Sequence, residues 1–87
     1  MELAKFVPIG MILPTITTSK SLGALIRDER KGQGLTQEQL AGLTGVGVRF
    51  VRELEAGKES CQLGRALQVA VALGLTVSVS SRRETAR

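Results

Sequence analysis

Residues 37–54 read QEQLAGLTGVGVRFVREL, and their spacing constrains the fold more than any other part of the chain. Gln37 opens the stretch, Ala41 follows four residues later and Gly45 four after that, with Val51 and Leu54 completing the pattern. This spacing predicts two short helices meeting at a tight turn. Thr36 offers an N-cap oxygen to the first turn, and Gln39, three residues on, completes a capping box. Leu40 and Ala41 face inward. Ala41 is small because two steeply crossing helices leave no room for a larger side chain. Gly45 sits where the chain reverses, and glycine takes a left-handed conformation there at no steric cost. Val46 points back to the core. Val51 and Leu54, three residues apart, form the buried stripe of the second helix, which leaves Val48, Arg49, Arg52 and Glu53 on its outer face.

The flanking sequence supplies a helical frame. Ser19 or Ser21 is placed to cap a first helix that runs to about Lys31, with Leu22, Leu25, Ile26 and Glu29 on one face. Gly32 and Gly34 end it. Helices are then predicted over residues 37–43, 48–56 and 62–73, the last with Leu63, Leu67, Ala70 and Val71 inward. Gly57 and Gly74 close the last two. Beyond Gly74 the period changes. Leu75, Val77 and Val79 alternate with Thr76, Ser78 and Ser80, which predicts a strand with one buried face. A lone strand leaves its backbone groups unpaired and needs a partner. One candidate is its own copy across a two-fold axis. The other is residues 11–17, where Pro14 confines that segment to an edge. Both together give a four-stranded sheet shared by two chains.

Composition narrows the function classes. Eighty-seven residues make one domain, and so short a chain buries only about 60% of its unfolded surface, so dimerisation would help it. A net charge of +4 and a pI near 10.0 suit a polyanionic partner. Cys61 is the single cysteine and there is no histidine, which excludes an intrachain disulfide and any Ser–His or Cys–His pair. Neither a metal cluster nor a phosphate-binding glycine loop at motif spacing is present, so no cofactor and no enzymatic activity are expected. The apolar run at residues 6–13 follows Lys5 but is short and broken by Pro8, with Pro14 just beyond it, unlike a signal peptide. No stretch approaches the ~20 apolar residues of a membrane span, so a cytoplasmic protein is expected. Met11 offers a second translation start, which would make residues 1–10 an extension.

The phrase GLTQEQLAGLTGV at residues 34–46, followed by LEAGK at 54–58, resembles the helix-turn-helix domain of the lambda repressor and Cro type, the Xre family. The resemblance spans roughly residues 22–75. It implies a mainly α, lambda-repressor-like bundle of four to five helices, with a short C-terminal β-strand pairing across a dimer. The domain layout is then an N-terminal arm or strand at 1–18, a DNA-binding domain at 19–74, a dimerisation strand carrying Leu75, Val77 and Val79 at 75–80, and a flexible basic tail at 81–87. The sequence ALQVAVALGLTVSVS at 66–80 is similar to the C-terminal part of HipB-like antitoxins. That resemblance implies a homodimeric repressor of its own operon, bound to a palindromic double-stranded operator and to a HipA-type kinase toxin. Such proteins often engage the toxin through a C-terminal extension. Here the end, SRRETAR, is short and has no aromatic anchor. Two other readings stand beside this one: a stand-alone Xre-type regulator, and a module whose chief task is to hold a toxin.

The resemblance places Gly47, Val48, Arg49, Arg52 and Glu53 at base-facing positions of the second motif helix. Arg49 and Arg52 suit guanine O6 and N7, Val48 suits a thymine methyl, and Glu53 either accepts from cytosine or orients Arg49. Gly47 departs from the polar residue usual there. Thr36, Gln37 and Lys58 are phosphate candidates. Between residues 48 and 59, Arg49, Arg52 and Lys58 are matched by Glu53, Glu55 and Glu59, so placement of charge matters more than its amount. In the resembling phage repressors an Arg and a Glu at the positions of Arg30 and Glu55 form an internal ion pair, and the same pair is expected here. Cys61 is either a redox thiol or a structural neighbour of a helix cap. Phe50 either stacks on bases or packs between helices.

Overall fold

The computed structural model describes residues 14–85. It contains helices α1 (Ser19–Gly32), α2 (Gln37–Thr44), α3 (Val48–Glu55), α4 (Leu63–Ala72) and the single turn α5 (Arg82–Thr85). The apolar run at 6–13, the alternative start at Met11 and residues 11–13 of the segment 11–17 lie outside the described residues. Residues 14–17 carry no strand.

Each helix start has a local cause. The cap of α1 is Thr18, one residue before Ser19 and three before Ser21, the two caps expected. Its hydroxyl accepts from the Ser21 N–H at 3.0 Å, and Ser21 completes a capping box as the third helical residue. Thr36 caps α2 as predicted, accepting from the Gln39 N–H at 3.0 Å, while Gln39 Oε1 accepts from the Thr36 N–H at 2.8 Å. The turn after α2 is Gly45 at φ 78°. In that left-handed conformation its N–H returns to the Ala41 carbonyl, closing the helix. Gly47 caps α3 with no side chain to help.

The core lies between α3 and α1, α3 and α2, and α2 and α4. Ile26, Leu40, Val51 and Val69 are fully buried, one from each of the four long helices. Each such side chain contributes about 1.5–3 kcal/mol of burial free energy. Ala41 and Leu54 are buried as expected, and Phe50 packs against this core together with Val46, Cys61 and Leu75.

In the C-terminal third one reading is corrected, and the strand at 75–80 is not seen in a single chain. On α4 the buried residues are Ala66, Val69 and Ala70, with Leu73 just after it. Leu63, Leu67 and Val71, expected inward with Ala70, are instead 68%, 39% and 70% exposed. Both sets have helical spacing, and periodicity cannot say which apolar stripe faces its own core. Past α4, Leu75 donates its N–H to the Ala70 carbonyl and packs on the core, but no strand forms among the described residues. Val77 and Val79 are exposed. An edge strand needs a partner for its backbone, and the described residues of one chain offer none. Within the basic tail at 81–87, expected to be flexible, residues 82–85 form the short helix α5.

Candidate nucleic-acid interface

Helix α3 presents its second face to solvent because Val51 and Leu54 anchor the first in the core. Arg49, Arg52 and Gly47 are exposed, while Val48, Glu53 and Glu55 are partly covered. Val48 also packs against the core, so only part of it is left for a base contact. Arg52 lies beside the start of α2, where it meets Glu38. There Arg27, Arg30, Gln37, Arg52, Glu55 and Ala56 line an open cleft of about 370 Å³.

At the base of the cleft is the expected ion pair. Arg30 Nε donates to Glu55 Oε2 at 2.6 Å and Nη2 to Oε1 at 3.0 Å, with the two side chains only 9% and 3% exposed. Nη1 donates to the Leu35 carbonyl at 2.7 Å, and Gln37 Nε2 donates to Glu55 Oε1 at 3.0 Å. One guanidinium thus ties the end of α1, the α1–α2 loop and the end of α3 together. The bidentate hydrogen bond to Glu55 raises the Arg30 pKa above its ordinary value. Burial alone would raise that of Glu55, but hydrogen bonds from Arg30 and Gln37 outweigh it and hold the carboxyl below the usual carboxylate range. Among the described residues, no buried side-chain nitrogen or oxygen lacks a hydrogen-bond partner.

The network already engages two phosphate candidates. Gln37 gives one of its two amide hydrogens to Glu55 and keeps the other and its backbone N–H as donors. The Thr36 hydroxyl accepts in its cap and keeps its O–H as a donor. Lys58 Nζ lies 3.2 Å from Glu53 Oε1, and this hydrogen bond, with a smaller contribution from Arg49, lowers the Glu53 pKa. Arg49 Nε donates to Glu53 at 3.3 Å, so Glu53 orients Arg49 across one helical turn. Arg52 Nη2 donates to Glu38 Oε2 at 3.2 Å, a contact between α3 and α2. Sequence reasoning missed both Glu38 and Arg27. The signal for Glu38 was its place in the first turn of α2, one residue after Gln37. Arg27 was findable three residues before Arg30, on the same face of α1.

Residues 26–79 match the helix-turn-helix family profile, more than half of the chain. The chain belongs to the Xre-type helix-turn-helix family. It is 48% identical over 64 residues to the uncharacterized HTH-type transcriptional regulator y4mF of Sinorhizobium fredii, covering 74% of this chain and 84% of that protein. An uncharacterized HTH-type transcriptional regulator of Methanothermobacter thermautotrophicus is 48% identical over 50 residues, covering 58% of this chain and 72% of that protein. Among solved structures, a chain of the HipA-HipB-O2-O3 complex superposes with a TM-score of 0.74 at 18% identity, covering 80% of this chain and 99% of that one. A HipB-O4 20mer complex gives 0.73 at 18% identity with the same coverage. The helical fold is therefore that of the HipB chains, and the family match and the curated relatives make this helix-turn-helix protein a transcriptional regulator. No described helix is long and apolar enough to cross a membrane.

Proposed function

We propose that this helix-turn-helix protein is a sequence-specific repressor that binds a palindromic operator as a homodimer, and that it is the HipB-like antitoxin of an operon that also encodes a HipA-type kinase. The outward face of α3 carries the reading: Arg49 and Arg52 are exposed, Arg52 beside the first turn of α2, on a helix fixed from behind by Val51, Leu54 and the Arg30–Glu55 pair. Arg49 and Arg52 contact base edges. Val48 and Glu53 support them, Gly47 lets the backbone approach closely, and Lys58 and the α2 N-terminus meet phosphates. The likeness in fold to HipB chains solved with an operator or with HipA supports the antitoxin assignment.

Dimerisation uses the apolar surface left uncovered in one chain. Leu63, Leu67 and Val71 form a stripe along α4, and Val77 and Val79 extend it into residues 75–80. Strand pairing at Leu75, Val77 and Val79 across the two-fold axis supplies the missing backbone partners and sets two α3 helices about 34 Å apart, one turn of DNA. The protein acts in the cytoplasm, and the arm at 1–18 and tail at 81–87 flank the domain.

Selection of bound duplexes from a random pool tests the assignment. The recovered sequence is a palindrome with half-sites one turn apart. Arg49→Ala weakens binding to it by about 1–3 kcal/mol per half-site. The same variant holds a HipA-type kinase as tightly as wild type does. Recovery of no common sequence contradicts the repressor reading, and failure of the wild type to bind the kinase leaves a stand-alone regulator.

A further inference from the structure

Arg49, Arg52 and Lys58 are all engaged by carboxylates before any DNA arrives. Two of them share Glu53, which belongs to the same helical segment. Arg52 is different, because its partner comes from the other helix of the motif. Glu38 stands in the first turn of α2, where the positive end of the helix dipole favours a negative charge. That place would also attract a DNA phosphate. Glu38 is largely exposed and lies 3.2 Å from Arg52, so the pair is a weak one that a better acceptor for Arg52 can displace.

We infer that Glu38 is a specificity-determining residue, which withholds Arg52 from the sugar-phosphate backbone and releases it only to a matching base. The inference rests on α3 being the reading helix. On an arbitrary duplex, Arg52 would exchange one anionic acceptor for another and leave Glu38 unpaired against phosphates, so it stays with Glu38. On the operator, a bidentate contact to guanine O6 and N7 is geometrically better than the single hydrogen bond it replaces. The carboxylate therefore disfavours wrong sites more than the right one. It lowers total affinity and raises the ratio between operator and random DNA.

Glu38→Gln tests this against two probes: the duplex selected by the wild-type chain, and a scrambled duplex of the same composition. Loss of an exposed pair of this kind raises affinity for scrambled DNA by about fivefold and for the selected duplex by less, so discrimination falls. Removing one repelled carboxylate and freeing one cation steepens the slope of log affinity against log salt on scrambled DNA by about one. In an Arg52→Ala background, Glu38→Gln leaves the discrimination ratio unchanged, because Glu38 acts through Arg52. A ratio and salt slope equal to wild type, with only the thermal midpoint altered, would show that Glu38 merely stabilises α2 and would overturn the inference. If the wild-type chain itself does not distinguish the two duplexes, or Arg49→Ala distinguishes them as well as wild type does, the reading-helix assignment fails along with it.

Discussion

Glu55→Gln lowers the unfolding free energy by about 3–5 kcal/mol, because it leaves the Arg30 guanidinium buried without its anion. Small domains have only about 5–15 kcal/mol in total, so the thermal midpoint falls steeply. The size of the effect follows from geometry. Both nitrogens that Arg30 directs at Glu55 make hydrogen bonds, and neither side chain is more than 9% exposed. Solvent cannot take over when the carboxylate is replaced by an amide. An unchanged midpoint in thermal unfolding would mean that the two charges are solvated. The same pair predicts a pH dependence. The folded Glu55 pKa is lowered from its ordinary value, so its contribution is fully present above the unfolded carboxylate pKa and is lost as pH falls through the lowered folded pKa. In urea titrations across the acid range, wild type is expected to lose stability and Glu55→Gln to lose less over the same interval.

Gly23→Ala and Gly42→Ala give opposite results, although both glycines lie inside helices. A Cβ at Gly23 would stand 2.3 Å from the Leu54 carbonyl oxygen and 2.8 Å from that of Glu55. Both obstacles are backbone, so α1 and α3 must separate. Such overpacking costs about 1–3 kcal/mol or more, against a gain in helix propensity of about 1 kcal/mol, and the net change is destabilising. Some of the obstructing atoms belong to Glu55, which holds Arg30, so the loss extends to the ion pair. At Gly42 a Cβ meets nothing within 4 Å, and the propensity gain is left unopposed. Chemical unfolding of the two variants reads the difference directly. A Gly23→Ala protein as stable as wild type would mean that α1 and α3 can part without cost.

The sequence made the α2–turn–α3 unit legible because its signals are local. The Thr36–Gln39 box, the left-handed Gly45 and the stripe of Val51 and Leu54 each act within one or two turns. The Arg30–Glu55 pair was readable only through family resemblance, since the two residues are 25 apart. What stayed hidden depends on tertiary approach. Gly23 reads as an ordinary glycine in a helix until α3 lies against it. The contact from Glu38 to Arg52 spans the turn between two helices. On α4, Leu63, Leu67 and Val71 are as apolar and as regularly spaced as the residues that are buried. A hydrophobic period reports that a face is covered by something, and does not distinguish the chain's own core from a second subunit. The alternation at 75–80 carries the same ambiguity.

The reading role of α3 is tested most directly by the affinity of Arg49→Ala/Arg52→Ala for the duplex that the wild-type chain selects, measured at fixed salt beside a scrambled duplex. Loss of two arginine contacts per half-site is predicted to lower affinity for the selected duplex at least about a hundredfold, to the level of scrambled DNA, with the thermal midpoint retained. A folded double variant that binds the selected duplex within about twofold of wild type would contradict the assignment of this face.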